Sequence, residues 1–284
     1  MQFFITLVLL MLGAVVGTAG ADDVPSERPR VHVQAMPTHT HVEPGGSTSV
    51  AVRFTIPSGW HIYWADSGDA GVPTQVEIKA PRGVNVGPVT YSRPITIADP
   101  AGTVNGYERT ALLLVPMTLL ADGVSCGWVD LTIEANWLVC RRVCYLGSEK
   151  MQIRVKVDQG VGLETAAADW VRSMSMPGPV ADRLGTTLRL ESERMVIEGP
   201  IGDSGPPAFL PIHVPGVELG LVTISRDGGQ FAVTVPYHLR PSDSLGRTPR
   251  IQGLLTFGRR SVDPCWSISR AIPIPSPPME GDHQ

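Results

Sequence analysis

Two cysteines separated by three residues form the segment of the sequence best suited to covalent chemistry. Cys140 and Cys144 enclose the tripeptide Arg-Arg-Val. A disulfide requires two Cα atoms within about 7 Å, whereas four steps of extended strand span about 13 Å. The pair therefore predicts a helical turn or a tight loop. We expect the strand pattern that leads to Val139 to break at Cys140 and to resume after Gly147.

The reaction that this pair supports is thiol–disulfide exchange. In exchange a thiolate attacks a disulfide sulfur, and a neighbouring cation favours the thiolate over the thiol. Arg141 and Arg142 stand between the two cysteines and could supply that cation. A bridge across so few residues restricts the unfolded chain little, and exposed or strained bridges are the labile ones. The alternatives are a purely structural bridge on a surface loop and a pair of buried free thiols.

Cys126 and Cys265 carry no functional signature of their own. Four cysteines are too few for a disulfide framework in a chain of 284 residues. Leftover cysteines can pair in an oxidising compartment. A structural Cys126–Cys265 bridge between two domains is therefore one alternative, and two free thiols are the other.

Histidines near the amino terminus raise the alternative of copper binding. His39 and His41 would share one face of a strand, with His32 and Met36 upstream, and imidazole and thioether groups suit copper. A polar strand explains the same residues, and we predict no metal site and no cofactor. The sequence contains no zinc signature, phosphate loop or nucleophile elbow.

The amino-terminal residues predict export. Residues 3–16 are almost continuously apolar, and Ala19-Gly20-Ala21 follows as an A-x-A-like cleavage site. The run is shorter than the roughly 20 residues of a membrane-spanning helix. We therefore expect a signal peptide over residues 1–21, cleaved near Ala21. A retained membrane anchor is the alternative.

Short alternating segments joined by turns predict an all-β protein. The chain holds 30 glycines and 26 prolines, and helical periodicity is scarce. Asp227-Gly228-Gly229 is typical of a hairpin turn, and Pro116 predicts an edge strand or a bulge. The predicted strands cover residues 49–56, 75–79, 111–120, 129–135, 151–157, 187–190, 195–198, 219–224, 230–235 and 251–257.

This pattern divides the chain into two β-sandwich domains. The expected parts are a first sandwich over 22–158, a linker helix within 159–180, a second sandwich over 181–272 and a disordered tail over 273–284. The helix prediction rests on residues 162–176, where three alanines precede Pro177-Gly178-Pro179. A net charge of −4 and the lack of a basic stripe argue against nucleic-acid binding.

The cysteine segment and the blocks around it resemble a known family. Trp137-Leu138-Val139-Cys140 with Cys144 is similar to the active-site segment of the amino-terminal periplasmic domain of the thiol:disulfide interchange protein DsbD, in the branch that includes the copper-sensitivity suppressor ScsB. The blocks GWHIYW (59–64), GDAGVPT (68–74), PRGV (81–84) and NGYE (105–108) are also similar to that branch. They keep the order of the family, which makes the match far more specific than a lone C-x3-C motif.

The resemblance implies immunoglobulin-like sandwiches and a role as part of a thiol:disulfide oxidoreductase. Cys140 and Cys144 would be the exchanging pair, Trp137 would lie near them, and Tyr107 and Glu108 would lie in or near a loop that covers them. The family's domain receives reducing equivalents from a membrane electron carrier and passes them to periplasmic thioredoxin-like proteins. Those proteins are the expected partners, and the periplasm is the expected location.

The chain departs from the family pattern in three respects. We expect neither a membrane domain nor a carboxy-terminal thioredoxin domain within these 284 residues, and we expect a separate protein to reduce the pair. Tyr145-Leu146-Gly147 stands where many relatives have a proline nearby, and the cysteine spacing is shorter than in the best-known branch. The alternative function is a copper(I)-binding or scaffolding protein with a structural disulfide, because two thiolates suit copper(I).

The aromatic block at 59–64 is predicted to be structural. Trp60, Trp64 and Trp137 are expected in the core or near the cysteines, because large rings mostly fill sandwich interiors. His61 stands between two of these aromatics at a position similar to one in the family, and we interpret it as a packing residue.

Overall fold

A computed structural model describes residues 28–183, 185–203, 205–240 and 248–273 of the chain. The expected signal peptide at 1–21 and all but the first residue of the expected tail at 273–284 lie outside these ranges. Within the ranges, no helix combines the length and the apolar character that crossing a membrane requires.

The described residues up to 157 form two facing β-sheets. Their strands are β1 (His32–Pro37), β2 (His41–Val42), β3 (Ser47–Thr55), β4 (His61–Gly68), β5 (Gln75–Lys79), β6 (Val84–Val86), β7 (Thr90–Tyr91), β8 (Ile95–Asp99), β9 (Gly102–Glu108), β10 (Thr110–Leu119), β11 (Gly127–Cys140) and β12 (Cys144–Val157). One sheet has the order β1-β3-β10-β6, with β7 also paired to β10. The facing sheet has the order β2-β12-β11-β4-β9-β8, with β5 also paired to β11.

Alternating side chains explain why these two sheets stack. Successive side chains of a strand point to opposite faces of the sheet. In β11 every second residue from Val129 to Val139 is buried, while the residues between them are exposed or half-buried. The buried row packs with residues of β3 and β10 into one core that includes Phe54 and Trp64.

Pro116 lies in an inner strand and not at an edge, beside a gap in the strand pairing. Strand β10 pairs with β3 on one side and with β6 and β7 on the other. The Pro116 carbonyl faces the gap between β6 and β7, where it accepts from the Gly87 N–H at 2.8 Å. The missing N–H of the proline faces the same gap and interrupts no strand pairing.

The predicted helix is α1 (Ala166–Ser173), and it packs against the first sandwich. Thr165 caps it, because its hydroxyl oxygen accepts from the Ala167 N–H at 3.2 Å. Ala167 is buried against Ala51 and Leu112 of the sheet. The helix is therefore part of the first sandwich's outer layer as well as a connection between domains.

The described residues after α1 form a second pair of sheets. Their strands are β13 (Gly178–Pro179), β14 (Thr187–Leu190), β15 (Arg194–Pro200), β16 (Pro207–Ile212), β17 (Val217–Leu219), β18 (Thr223–Asp227), β19 (Gln230–Leu239), β20 (Arg250–Phe257) and β21 (Cys265–Ala271), and a 3₁₀ turn covers Val180–Asp182. The sheets have the orders β13-β21-β20-β16 and β14-β15-β19-β17, with β18 also paired to β19. The predicted all-β fold of two immunoglobulin-like sandwiches is confirmed.

Two details of the second sandwich differ from the predicted strands. The segment predicted as one strand over 219–224 is divided between β17 and β18, which both pair with β19. Strands β16 and β21 were not predicted. Strand β16 begins at Pro207 and also contains Pro211, and prolines of this kind are tolerated because β16 is an edge strand.

Arg93 joins the two sandwiches. Its guanidinium is buried and donates to the carbonyl of Gly258 at 2.9 Å and to that of Arg260. Asp263 lies 3.7 Å away, and the Arg93 N–H donates to the Ser175 carbonyl at 2.8 Å. A buried cation requires such partners, so this contact fixes how the second sandwich meets the first.

Candidate functional site

The cysteine pair closes the longest hairpin of the described structure. Strands β11 and β12 stay in register from Gly127 opposite Val157 to Cys140 opposite Cys144. The facing Cα atoms are 4.2 Å apart, and the two sulfurs form a disulfide of 1.98 Å.

The expected break between Cys140 and Gly147 is wrong, because β12 resumes at Cys144. The distance argument that predicted it applies along one strand. Across an antiparallel pair, facing residues lie within disulfide reach while both remain in extended conformation. The three loop residues suffice to reverse the chain, and the Arg141 N–H donates to the Val143 carbonyl at 3.3 Å within the loop.

The two cysteines differ in access. Cys140 is 1% exposed and packs with Tyr63 and Val104 in a small cluster on the outer face of the large sheet. Cys144 is exposed at the start of β12. Of the two, only Cys144 is therefore open to approach from solvent.

Positive charge and apolar surface flank the exposed sulfur. Arg141 and Arg142 are both exposed in the loop. Leu146, two residues after Cys144, is 82% exposed. Beside it, Val72 and Trp137 help to line a shallow cleft of about 310 Å³. The surroundings of the bridge thus combine guanidinium groups with an apolar surface that another protein could cover.

Tyr107 lies in a strand and not in a loop that covers the cysteines. It belongs to β9, is fully buried in the first core and donates its hydroxyl to the Ser92 carbonyl at 2.7 Å. Burial raises the pKa of Tyr107 well above its usual value. Glu108 is exposed at the end of β9, opposite His61 of β4. The family block NGYE therefore supplies a core strand here, with only its last residue beside the site.

Trp137 supports the hairpin from inside the sandwich. Its ring meets Phe54 edge to face at 5.6 Å in the core. A Cβ atom on Gly147, the residue opposite Trp137 in β12, would lie 2.3 Å from the indole ring. Gly147 thus leaves the space that the indole occupies, three residues before Cys140 in the same hairpin.

His61 is a residue of this site that sequence reasoning assigned to packing alone. It lies directly opposite Cys140 in the pairing of β4 with β11. Its ring is buried, meets Tyr63 edge to face at 5.1 Å and places Nε2 3.5 Å from Oδ2 of Asp99. Desolvation lowers the pKa of His61, and the charges of Asp99 and Glu108 partly oppose that shift. The available signal was alternation in GWHIYW, which puts His61 and Tyr63 on one face.

Cys126 and Cys265 are free thiols, so the bridge considered between them does not form. Cys126 is exposed immediately before β11, at the opposite end of that strand from Cys140. Cys265 is buried at the start of β21, with its sulfur 3.6 Å from the Ser175 hydroxyl. Burial raises the pKa of Cys265 and so disfavours its thiolate.

The histidines considered for copper have polar neighbours in the structure. Nδ1 of His39 lies 3.1 Å from the hydroxyl of Thr38 and 3.2 Å from that of Thr48. His41 belongs to β2, and its Nδ1 lies 3.4 Å from the hydroxyl of Thr40. In the ranges that the structure covers, no group of three or more His, Cys, Asp or Glu residues is placed to hold a metal ion.

Sequence and structure comparisons agree on the first sandwich. Residues 31–156 match the family model described as thiol:disulfide interchange protein DsbD, N-terminal. This region is a DsbD-alpha-like domain. With the Cys140–Cys144 bridge at its hairpin, the domain is a thiol–disulfide interchange module. No curated protein sequence matches the chain.

A solved structure shares the fold of both sandwiches. The crystal structure of the amino-terminal periplasmic domain of ScsB from Proteus mirabilis superposes with a TM-score of 0.57 at 15% identity, covering 87% of this chain and 95% of that one. At this identity the likeness shows the fold.

Two further structures are much less similar to this chain. A family 123 glycoside hydrolase from Clostridium perfringens has a TM-score of 0.29 at 8% identity, over 46% of this chain and 27% of that one. The sporulation control protein Spo0M from Bacillus subtilis has a TM-score of 0.23 at 10% identity, over 85% and 90%.

Proposed function

We propose that the protein exchanges its Cys140–Cys144 disulfide with periplasmic thioredoxin-like proteins, and that it carries reducing equivalents between them and a separate membrane electron carrier. The observation that carries this proposal is the bridge itself, at the tip of a hairpin with Cys144 exposed. Membership of the first sandwich in the DsbD amino-terminal family supports it. Domains of that family are periplasmic.

Exchange proceeds in two displacements, the first at the exposed sulfur of Cys144 and the second at the partner's bridged sulfur. A partner thiolate attacks Sγ of Cys144, the bond to Cys140 breaks, and its electron pair passes to Cys140. A mixed disulfide now joins the partner to Cys144. The partner's second thiolate attacks its own bridged sulfur and releases Cys144 as a thiolate, so the partner leaves oxidised and the domain leaves reduced. The same steps in reverse oxidise the domain.

The surroundings of the bridge favour this reaction. Arg141 and Arg142 put positive charge beside Cys144, and that charge stabilises the thiolate that forms when the partner leaves. The apolar surface formed by Leu146 and Val72 gives a partner an area to cover while the mixed disulfide exists. The free thiol of Cys265 lacks this combination, because it is buried.

The test is to trap the mixed disulfide with single cysteine variants. Cys140→Ser leaves the exposed Cys144 thiol without its resolving partner, and we expect it to accumulate adducts with an oxidised thioredoxin-like protein. Cys144→Ser leaves only the buried Cys140 and should accumulate far fewer. Both variants are made in a Cys126→Ser background, because Cys126 is an exposed thiol that would form adducts of its own.

The proposal fails if neither variant forms an adduct and the wild-type bridge also resists an excess of a reduced thioredoxin-like protein. Non-reducing electrophoresis and mass spectrometry of the cross-linked peptide distinguish these results.

A further inference from the structure

His61 is a titratable residue that lies directly opposite the buried Cys140 in the sheet. Strands β4 and β11 pair at two positions, Ile62 opposite Val139 and His61 opposite Cys140. Directly opposed residues of an antiparallel pair project from the same face with Cβ atoms about 4.5–5.5 Å apart. The imidazole and the Cys140 side chain therefore leave the backbone side by side on the outer face of the large sheet.

The surroundings of Cys140 are poorly suited to an anion. Cys140 is buried with Tyr63 and Val104, and Ile97 and Leu138 pack against this cluster. Opening the bridge by attack on Cys144 leaves the electron pair on Cys140 inside that cluster. Burial of an anion without a partner is costly. The leaving sulfur therefore needs a proton or a cation from a neighbouring group.

Two carboxylates near His61 favour the protonated imidazole. Its Nε2 is buried and has no hydrogen-bond partner among the described residues, although it lies 3.5 Å from Oδ2 of Asp99 on β8. Glu108 on β9 is the second carboxylate that acts on the ring, and Tyr63 on its own strand covers one edge. Both carboxylates favour the protonated imidazole, against the effect of burial.

Asp99 is held in place independently of His61. Its Oδ1 accepts from the Ala101 N–H at 2.9 Å across the turn between β8 and β9, while Oδ2 faces the imidazole. The turn thus holds Oδ1 of the carboxylate in place, and Oδ2 faces the imidazole ring of His61. Asp99 is a positioning residue for His61.

We infer that His61, oriented by Asp99, donates the proton that neutralises the Cys140 sulfur when the bridge opens. This inference rests on the exchange function proposed above. The attacking thiolate bonds to Cys144, the disulfide bond breaks toward Cys140, and the electron pair on Cys140 takes the proton of the His61 imidazolium. Solvent then returns a proton to His61. In the reverse reaction the neutral imidazole removes the Cys140 proton.

The test measures how fast dithiothreitol opens the bridge of the full chain between pH 5 and pH 9. Each rate is divided by the fraction of the reagent present as thiolate, so that the remaining pH dependence belongs to the protein. In the wild type this corrected rate should rise as the pH falls through the pKa of His61, which lies below 6.5. His61→Gln should remove that rise and lower the rate at pH 5 by about 100-fold.

Two further variants keep the test decisive. Asp99→Asn should move the inflection to lower pH, because it removes a charge that favours the imidazolium while retaining an oxygen for the Ala101 N–H. His238→Gln, an exposed histidine on β19 of the second sandwich, should leave the profile unchanged. Thermal unfolding establishes that each variant is folded.

The outcomes separate this inference from the exchange function. A His61→Gln protein that is opened at the wild-type rate with the wild-type pH profile overturns the role of His61 and leaves the exchange function standing. If His61→Gln does not fold, a wild-type profile in Asp99→Asn overturns it instead. A wild-type bridge that neither dithiothreitol nor a thioredoxin-like dithiol opens overturns both.

Discussion

The two sandwiches each contain a long hairpin, and the two hairpins are closed by different means. In the second sandwich, β18 and β19 are joined by Gly228 and Gly229, with φ of 52° and 79°. That backbone is the two-residue turn whose twist matches paired strands. In the first sandwich, β11 and β12 are joined by Arg141–Val143, which contain no glycine, and a disulfide links the strand ends.

The difference shows what a hairpin needs when its tip must react. Glycine closes the second hairpin through backbone conformation alone, so its end carries no reactive group. The first hairpin has a three-residue turn and, in addition, a covalent bond between the two strand ends that the turn joins. Further from the tip Trp137 lies over Gly147, and we expect this packing to hold the register of the hairpin. The bridge can therefore open while the strands below it stay paired.

Gly147→Leu should produce the largest loss of stability among the variants that test this contrast. The new side chain would occupy the space of the Trp137 indole, since even a Cβ atom would lie 2.3 Å from that ring. Overpacking of this kind costs up to about 3 kcal/mol. Chemical denaturation measures the loss, and Ser148→Leu adds the same side chain at an exposed neighbour. Equal stability of the two variants would contradict the role of Trp137 in setting the register.

The Cys140→Ala/Cys144→Ala double variant should lose about 2 kcal/mol of unfolding free energy, the entropy expected for so small a closed loop. Hydrogen exchange should show β11 and β12 still paired from Gly127 to Leu138. Reduced wild-type protein should show the same loss as the double variant. Unpairing of the whole hairpin on reduction would show that the bridge, and not the packing below it, holds the register.

Gly229→Val should cost about 1–2 kcal/mol, because its φ of 79° lies in the left-handed region. Gly229→Asn should cost less, since asparagine tolerates that region. Denaturation curves measure both losses, and the redox behaviour of Cys140 and Cys144 should not change. A redox effect of either variant would mean that the two hairpins are coupled.

The smallest expected effect is a pH dependence of stability that arises from His61. Burial holds the pKa of folded His61 below its unfolded value of 6.5, so the unfolded state binds the proton first as the pH falls. The free energy of unfolding should therefore decrease on acidification below pH 6.5. His61→Gln should remove that part of the decrease. A difference in unfolding free energy between the two proteins that stays constant from pH 7.5 to pH 5 would contradict it.

Local signals were readable from the sequence. Asp227-Gly228-Gly229 predicted the hairpin of β18 and β19, because the turn requires positive φ and glycine adopts it readily. The alternation in residues 129–135 predicted β11, and the alanine-rich segment before Pro177 predicted α1. The C-x3-C spacing identified the disulfide. Each of these depends on residues close together in the chain.

Pairing between strands that are distant in the chain could not be predicted from the sequence. His61 and Cys140 are neighbours because β4 adds to β11, and no pattern near either residue encodes that register. Tyr107 was expected in or near a loop by resemblance, which does not report its burial in the core. The Arg-Arg-Val tripeptide contains no turn signal, so the resumption of the strand at Cys144 could not be read from it.

The most direct test of the central claim is a redox titration of the Cys140–Cys144 couple in the full chain, against mixtures of oxidised and reduced dithiothreitol. Thiol alkylation and mass spectrometry count the reduced cysteines at each step, with the Cys126→Ser variant as the sample. The account predicts a reversible two-electron transition at a potential above about −300 mV. Structural disulfides have potentials below that value. A bridge that stays closed until the protein unfolds would contradict it.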